Sequence, residues 1–227
     1  MAKQTIYATA FARFRITPHM SSPGTSLFDF PQTSYVAFPL ILSGGLLSAL
    51  HILSYLAAPS GLGARFLTPV ISSALRILSD DTSTVENNPQ KAIVLLTAFY
   101  LFTVYMASVM LSNIGQLLGN KAGYKNKEPR LNKRNIPSGL PHRMIATHEA
   151  LCDIFPAYAV TAALIATSIT PKSPSTSINA LALHVFLKVA IYSPAYLLDI
   201  DVVRTYSHMC AVAALLVGLW AIVTEEA

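Results

Sequence analysis

The stretch from Lys121 to Ala166 reads KAGYKNKEPRLNKRNIPSGLPHRMIATHEALCDIFPAYAVTAALIA. It opens with a basic segment in which Lys121, Lys125, Lys127, Arg130, Lys133, Arg134 and Arg143 stand against one acid, Glu128. It then passes into a long apolar run whose first turns carry His148, Glu149 and Asp153. An ionisable side chain at membrane depth is costly, so by default it marks a site and faces a bundle interior or a wet cavity. Three such groups within six residues, just inside a basic boundary, make this the candidate functional region.

Composition agrees with a membrane setting. Of the 227 residues, 53% are hydrophobic and 12% are charged, against about 25% charged in a soluble domain. Several apolar runs reach the roughly 18 residues needed to cross a hydrocarbon core. The expected class is therefore an all-α integral membrane protein. The formal charge of +5 gathers mainly in the one short segment between two apolar runs, without interleaved aromatics. That is the positive-inside pattern of a cytosolic loop, with some attraction to anionic lipid. It lacks the basic face of a folded nucleic-acid-binding domain, so no nucleic-acid partner is expected. Cys152 and Cys210 both fall inside apolar runs and read as packing residues, with no disulfide framework. His148, Cys152 and Asp153 lack a compact further ligand, so no metal is expected.

Outward from the central stretch, three regions follow. Residues 1–33 read as a polar cytosolic tail, and residues 34–90 as an N-terminal extension with one span, Tyr35 to Ala57, and an interfacial segment, Phe66 to Leu78. Residues 91–227 hold four spans: Ala92 to Leu118, Pro141 to Ile169, Ile178 to Leu198 and Val203 to Val223. Pro141 suits a first helical turn, and Pro156 is placed to kink the second of these spans. His184 and Lys188 share one helix face at four-residue spacing, as do Arg204 and His208. Lys188 is expected to snorkel, and His51 and His184 to be structural. With the basic loop cytosolic, the five spans put the N-terminus in the cytosol and the acidic C-terminus in the lumen.

These residues resemble the MAPEG family, the membrane-associated proteins in eicosanoid and glutathione metabolism. The loop carries Tyr124, Asn126, Pro129 and Arg130, and the following helix Arg143, Ala146, His148, Asp153, Phe155 and Pro156. The later string YSPAYLLDIDVVRTYSH supplies Tyr192, Pro194, Ala195, Tyr196, Asp199 and Arg204 at the family's third-to-fourth helix junction. The likeness covers residues 92 to 223 and leaves the first 90 outside it. It implies a MAPEG-like left-handed four-helix bundle, with one extra N-terminal transmembrane helix here. It also implies a homotrimer in the endoplasmic reticulum, with active sites between subunits near the cytosolic face. Many members bind glutathione there, and an arginine at the start of the fourth helix, matched by Arg204, steadies its thiolate.

The chain departs from that pattern where glutathione would bind. The helix signature commonly places a basic residue, an asparagine and a glutamate where this chain has Glu149, Ala150 and Asp153. The arginine that commonly precedes the Tyr-x-Pro-Ala-Tyr string is Val189, with Lys188 one position away. Charged hydrogen bonds contribute roughly 1.5–3 kcal/mol each, so these losses together weaken a dianion site by several such contacts.

The expected chemistry is then glutathione-independent, with no cofactor. Asp153, His148, Glu149, Arg204, Tyr196 and His208 are the candidate catalytic residues. Arg130, Arg143, Tyr192 and Asn126 are the candidate binding residues. Carboxylates, imidazoles and phenols in one cavity can open an epoxide in a lipophilic small molecule, by water or by an internal hydroxyl that closes a ring. Arg204 would steady the developing alkoxide. Two other readings stay open: a glutathione transferase or peroxidase, and a non-catalytic lipid-binding scaffold. Bland readings stand beside them. Asp153 could pair with Arg143 or Arg204, Glu149 could pair with the basic loop, and Tyr192 and Tyr196 could be interface aromatics.

Overall fold

The computed structural model describes residues 37–79, 88–120, 123, 125, 127, 129–133, 136–168 and 176–225. The expected cytosolic tail, the polar stretch 80–87, the turn after residue 168, Tyr124 and Asn126 lie outside the described residues. Ile41–Ala227 forms one compact unit, which holds every feature below. Of a second unit, Met1–Leu40, the described part is the opening turn of the first helix.

The described residues are mostly helical and contain no strand. They form α1 (Ala37–Ala57), α2 (Leu62–Ser79), α3 (Pro89–Gly119), a single turn α4 (Pro129–Asn132), α5 (Leu140–Ser168), α6 (Thr176–Leu197) and α7 (Asp201–Glu225). Four of them, α3, α5, α6 and α7, are long and apolar enough to cross a membrane. Pro89 occupies the first turn of α3, where its missing N–H is no loss. The chain stays helical through Pro156 in α5. Two spans contain a π turn, Thr103–Ala107 in α3 and Leu187–Tyr192 in α6.

In the N-terminal extension, Gly44–Ala57 and Leu62–Ile77 make a bent pair with a 53° angle at the break. One face of the amphipathic α2 packs on the bundle. Its Ile71 and Leu75 are buried in one core with Ile93, Leu96, Tyr158, Ile165 and Leu181. A second core joins Ala49, Leu53 and Ala57 of α1 to Ala180, Leu183, Ala213, Ala214 and Val217 of α6 and α7. Asn179, fully buried on α6, joins both halves of the bend. Its amide donates to the Ala57 carbonyl at 3.1 Å, and its Oδ1 accepts from the Thr68 hydroxyl at 3.1 Å. This fills one of the carbonyls that a helix end leaves open, which lipid could not do.

Small residues set the closest helix contacts, as they do where apolar burial gives helices no reason to associate in lipid. Gly115 and Gly119 let α3 approach the start of α5. A Cβ at Gly115 would stand 2.6 Å from the Pro141 carbonyl oxygen, and one at Gly119 would stand 2.7 Å from Ile136.

The α6–α7 junction is a helix stop with a reversed residue. Asp199 has φ +64°, the left-handed conformation that closes a Schellman motif. The Ile200 N–H donates to the Ala195 carbonyl at 2.9 Å and the Asp199 N–H to the Tyr196 carbonyl at 3.3 Å. Arg143 at the start of α5 clamps this turn. Its Nε donates to the Leu197 carbonyl at 3.1 Å and its guanidinium pairs with Asp199 at 3.0 Å. The basic end of α5 and the α6–α7 turn thus meet at one end of the bundle.

Candidate functional site

Among the residues expected to share one cavity, the structure makes three separate groups, all toward that end of the bundle. The first is a set of ion pairs. Lys133 donates to Glu149 at 3.1 Å, and Arg204 pairs with Asp201 at 2.9 Å, one turn apart on α7. Arg143 is committed to Asp199, as above. Glu149 is half exposed and faces the basic segment, the bland arrangement foreseen for it. Arg130 is exposed on α4 and makes no ion pair with another described residue.

The second group climbs one face of α6. His184, Lys188, Tyr192 and Tyr196 follow at four-residue spacing, and α7 adds His208 and Arg204 beside them. Lys188 is fully buried, contrary to the snorkelling expected of it. Its Nζ lies 3.0 Å from His208 Nδ1 and 3.5 Å from the centre of the Tyr192 ring. Among the described residues no carboxylate reaches it. Tyr192 contacts Tyr196 edge to face at 5.7 Å, and the Arg204 guanidinium stands 4.8 Å from the Tyr196 ring centre. At its inner end the ladder meets an aromatic core. His184 stacks on Tyr158 at 5.4 Å, stands edge-on to Tyr100 at 5.5 Å, and bonds the Ala211 carbonyl through Nδ1 at 2.8 Å. Sequence reading missed the weight of Lys188, although its spacing from His184 was visible. Two signals pointed to burial: the apolar neighbours on every side, and its place halfway along the span.

Asp153 belongs to neither arrangement as an ion pair. It is the fourteenth of 29 residues in α5, the midpoint of a span, and its side chain is exposed on the bundle's outer face. Both arginines that could have neutralised it are paired elsewhere.

The third group faces the opposite way. His148 lies five residues before Asp153, about 140° around the helix, and turns toward α3. Its Nδ1 is 2.8 Å from the Ser108 hydroxyl oxygen, and its ring is within 3.6 Å of Cys152 Sγ. His148 and Asp153 therefore do not meet on one surface of the chain. No group of three or more histidine, cysteine or acidic side chains with metal-holding geometry occurs among the described residues.

No protein-family model, curated protein sequence or solved structure matches this chain.

Proposed function

We propose that this chain is a divergent MAPEG-type membrane enzyme that opens an epoxide in a lipophilic small molecule by acid–base chemistry, without glutathione. The observation that carries this reading is Asp153. A carboxylate at the middle of an apolar span, with no ion-pair partner among the described residues, is a general base waiting for a proton source. Asp153 takes the proton of water or of a substrate hydroxyl as that oxygen bonds to the epoxide carbon. The carbon–oxygen bond of the epoxide breaks, and Tyr192 or Tyr196 donates a proton to the departing oxygen. Arg204, half-buried beside Tyr196, steadies the alkoxide while it forms. The proton on Asp153 then restores the phenol. Lys188 and His208 sit behind Tyr192 and hold its ring in place.

Assembly as a homotrimer in the endoplasmic reticulum, with the basic end cytosolic, belongs to the same proposal. An exposed carboxylate halfway along a span calls for cover, and a neighbouring subunit supplies it while leaving a lined cavity. In this reading the extension adds a bent helix pair to a MAPEG-type bundle, with Asn179 as its polar anchor.

One observation favours a second reading, a glutathione transferase. Among the described residues no carboxylate reaches Lys188, and Arg204 stands 4.8 Å from the Tyr196 ring on the same ladder, a cationic character that suits an anionic peptide.

The test is turnover of an aryl epoxide and of a hydroxylated terpenoid epoxide by the full chain in lipid nanodiscs, in ¹⁸O-labelled water. A labelled diol or a ring-closed isomer, formed without glutathione and lost in Asp153→Asn, is the expected result. Conversion only in the presence of glutathione, with calorimetric binding of the tripeptide, would replace this reading by the transferase.

A further inference from the structure

Cys152 has a neighbour that a packing residue does not need. Its Sγ lies 3.6 Å from His148 Nδ1 and 3.8 Å from Nε2, one turn along the same helix. The imidazole is in turn held from α3. The π turn Thr103–Ala107 is the cause of that hold. Across it the Ser108 N–H donates to the Thr103 carbonyl rather than to its ordinary α-helical partner, Val104. The Val104 carbonyl instead accepts the Ser108 hydroxyl, at 2.5 Å. With its single proton spent there, the hydroxyl oxygen can only accept from His148 Nδ1, 2.8 Å away. This assigns the Nδ1–H tautomer to His148 and leaves Nε2, 3.8 Å from the sulfur, as the basic nitrogen.

We propose that Cys152 is a nucleophilic thiol, that His148 is its general base, and that Ser108 is the residue positioning that base. The arrangement repeats the logic of activated nucleophiles: nucleophile, base, and a third group that fixes the tautomer. A rotation of the ring closes the last few tenths of an ångström from sulfur to Nε2, as such contacts do on substrate arrival. The thiol is half-buried on a span, so its reactant comes from the hydrocarbon phase. The fitting class is a soft, membrane-dissolved carbon electrophile such as an α,β-unsaturated carbonyl. Sulfur bonds to the β-carbon as Nε2 takes the thiol proton, and the imidazolium returns that proton to the α-carbon of the enolate. The addition is balanced, with no leaving group and no change of oxidation state elsewhere. It is a second reactive site, on the α3-facing side of α5, independent of the Asp153 reading.

Cys210 makes the experiment internally controlled. It is also half-buried within a span, and among the described residues it has no imidazole contact. The full chain in nanodiscs is treated with a limiting amount of a hydrophobic N-alkylmaleimide, and both cysteines are followed by peptide mass spectrometry. Cys152 is expected to react at least tenfold faster than Cys210. General-base assistance contributes on the order of 100-fold, so His148→Asn should remove most of that advantage. Ser108→Ala should remove part of it, and both variants should leave the Cys210 rate unchanged. If His148→Asn alters the Cys210 rate, its packing is disturbed and Ser108→Ala alone decides. Equal rates for the two thiols, or a Cys152 rate indifferent to Ser108→Ala, would overturn the proposal.

Discussion

Arg143 and Asp199, 56 positions apart in sequence, close the basic end of the bundle through a 3.0 Å ion pair and an accompanying bond from Arg143 to the Leu197 carbonyl. The pair is partly exposed, so its Coulomb energy is modest. Its weight comes from holding a helix stop whose reversed residue is an aspartate rather than a glycine. Arg143→Ala should lower stability by about 1–2 kcal/mol. Asp199→Gly should be milder than Asp199→Ala by about 1 kcal/mol, because glycine adopts positive φ without strain. Thermal melts of the three variants in one detergent check both statements.

Asp153→Asn separates function from folding. Among the described residues the carboxylate has no ion-pair partner to lose, so the melting behaviour should change within about 0.5 kcal/mol. Epoxide turnover should fall by about 10²–10⁴-fold, the usual contribution of a positioned base. A strongly destabilised Asp153→Asn would mean that the side chain holds an assembly together instead.

Glu149→Gln is the companion control. Its pair with Lys133 is exposed on both sides and is worth about 0–1 kcal/mol. Turnover and melting temperature should both stay near those of the unaltered chain, and high salt should erase any residual difference. A loss as large as that of Asp153→Asn would return Glu149 to the reacting groups.

Lys188 and His208 predict an asymmetric pair of outcomes. Lys188→Met replaces a buried cation by an apolar chain of like length and should leave stability unchanged or raised. His208→Ala strands the buried Nζ without its 3.0 Å nitrogen partner and should cost about 1–3 kcal/mol. Denaturation of each variant, with the double variant to close the cycle, measures the difference.

At Gly115 a methyl group would meet the Pro141 carbonyl oxygen at 2.6 Å, which is backbone and cannot step aside. Gly115→Ala should therefore loosen the α3–α5 contact and destabilise the protein by about 1–3 kcal/mol. Gly44→Ala, with open space around it, should be neutral or slightly stabilising. Protease sensitivity of the loop between α3 and α5 provides the readout.

The spans were legible because their physics is local. Apolar length, Pro89 and Pro141 put the four helices within a few residues of their observed ends. The packing of the bent α1–α2 pair on the bundle was not, because Asn179, which bonds groups on both sides of the break, lies more than a hundred positions away. The two π turns left no mark in side-chain pattern, yet one of them decides where Ser108 points and so which nitrogen of His148 is basic. Of the candidate site, the residue types were readable and their grouping was not. Helical spacing already set His148 and Asp153 on different faces, but which neighbour each face would meet is a tertiary fact.

The isolated cation of α6 also bears on how the chain enters a bilayer at all. Among the four candidate spans Thr176–Leu197 is the least hydropathic, at 1.4, and it carries Asn179, His184 and Lys188. A lysine at mid-segment opposes translocon insertion by about 2.5–3.5 kcal/mol. That is enough to make this segment, presented by itself, hesitate at the lateral gate. Its polar groups find their partners on Ala57, Thr68, Ala211 and His208, which lie both before and after it in the chain. The segment should then commit to the bilayer only with α7 following, a dependence that glycosylation-site mapping of truncated nascent chains would reveal. Synthesis of this protein should in that sense be retrospective, its third long span expected to become a membrane helix only once the fourth has been made.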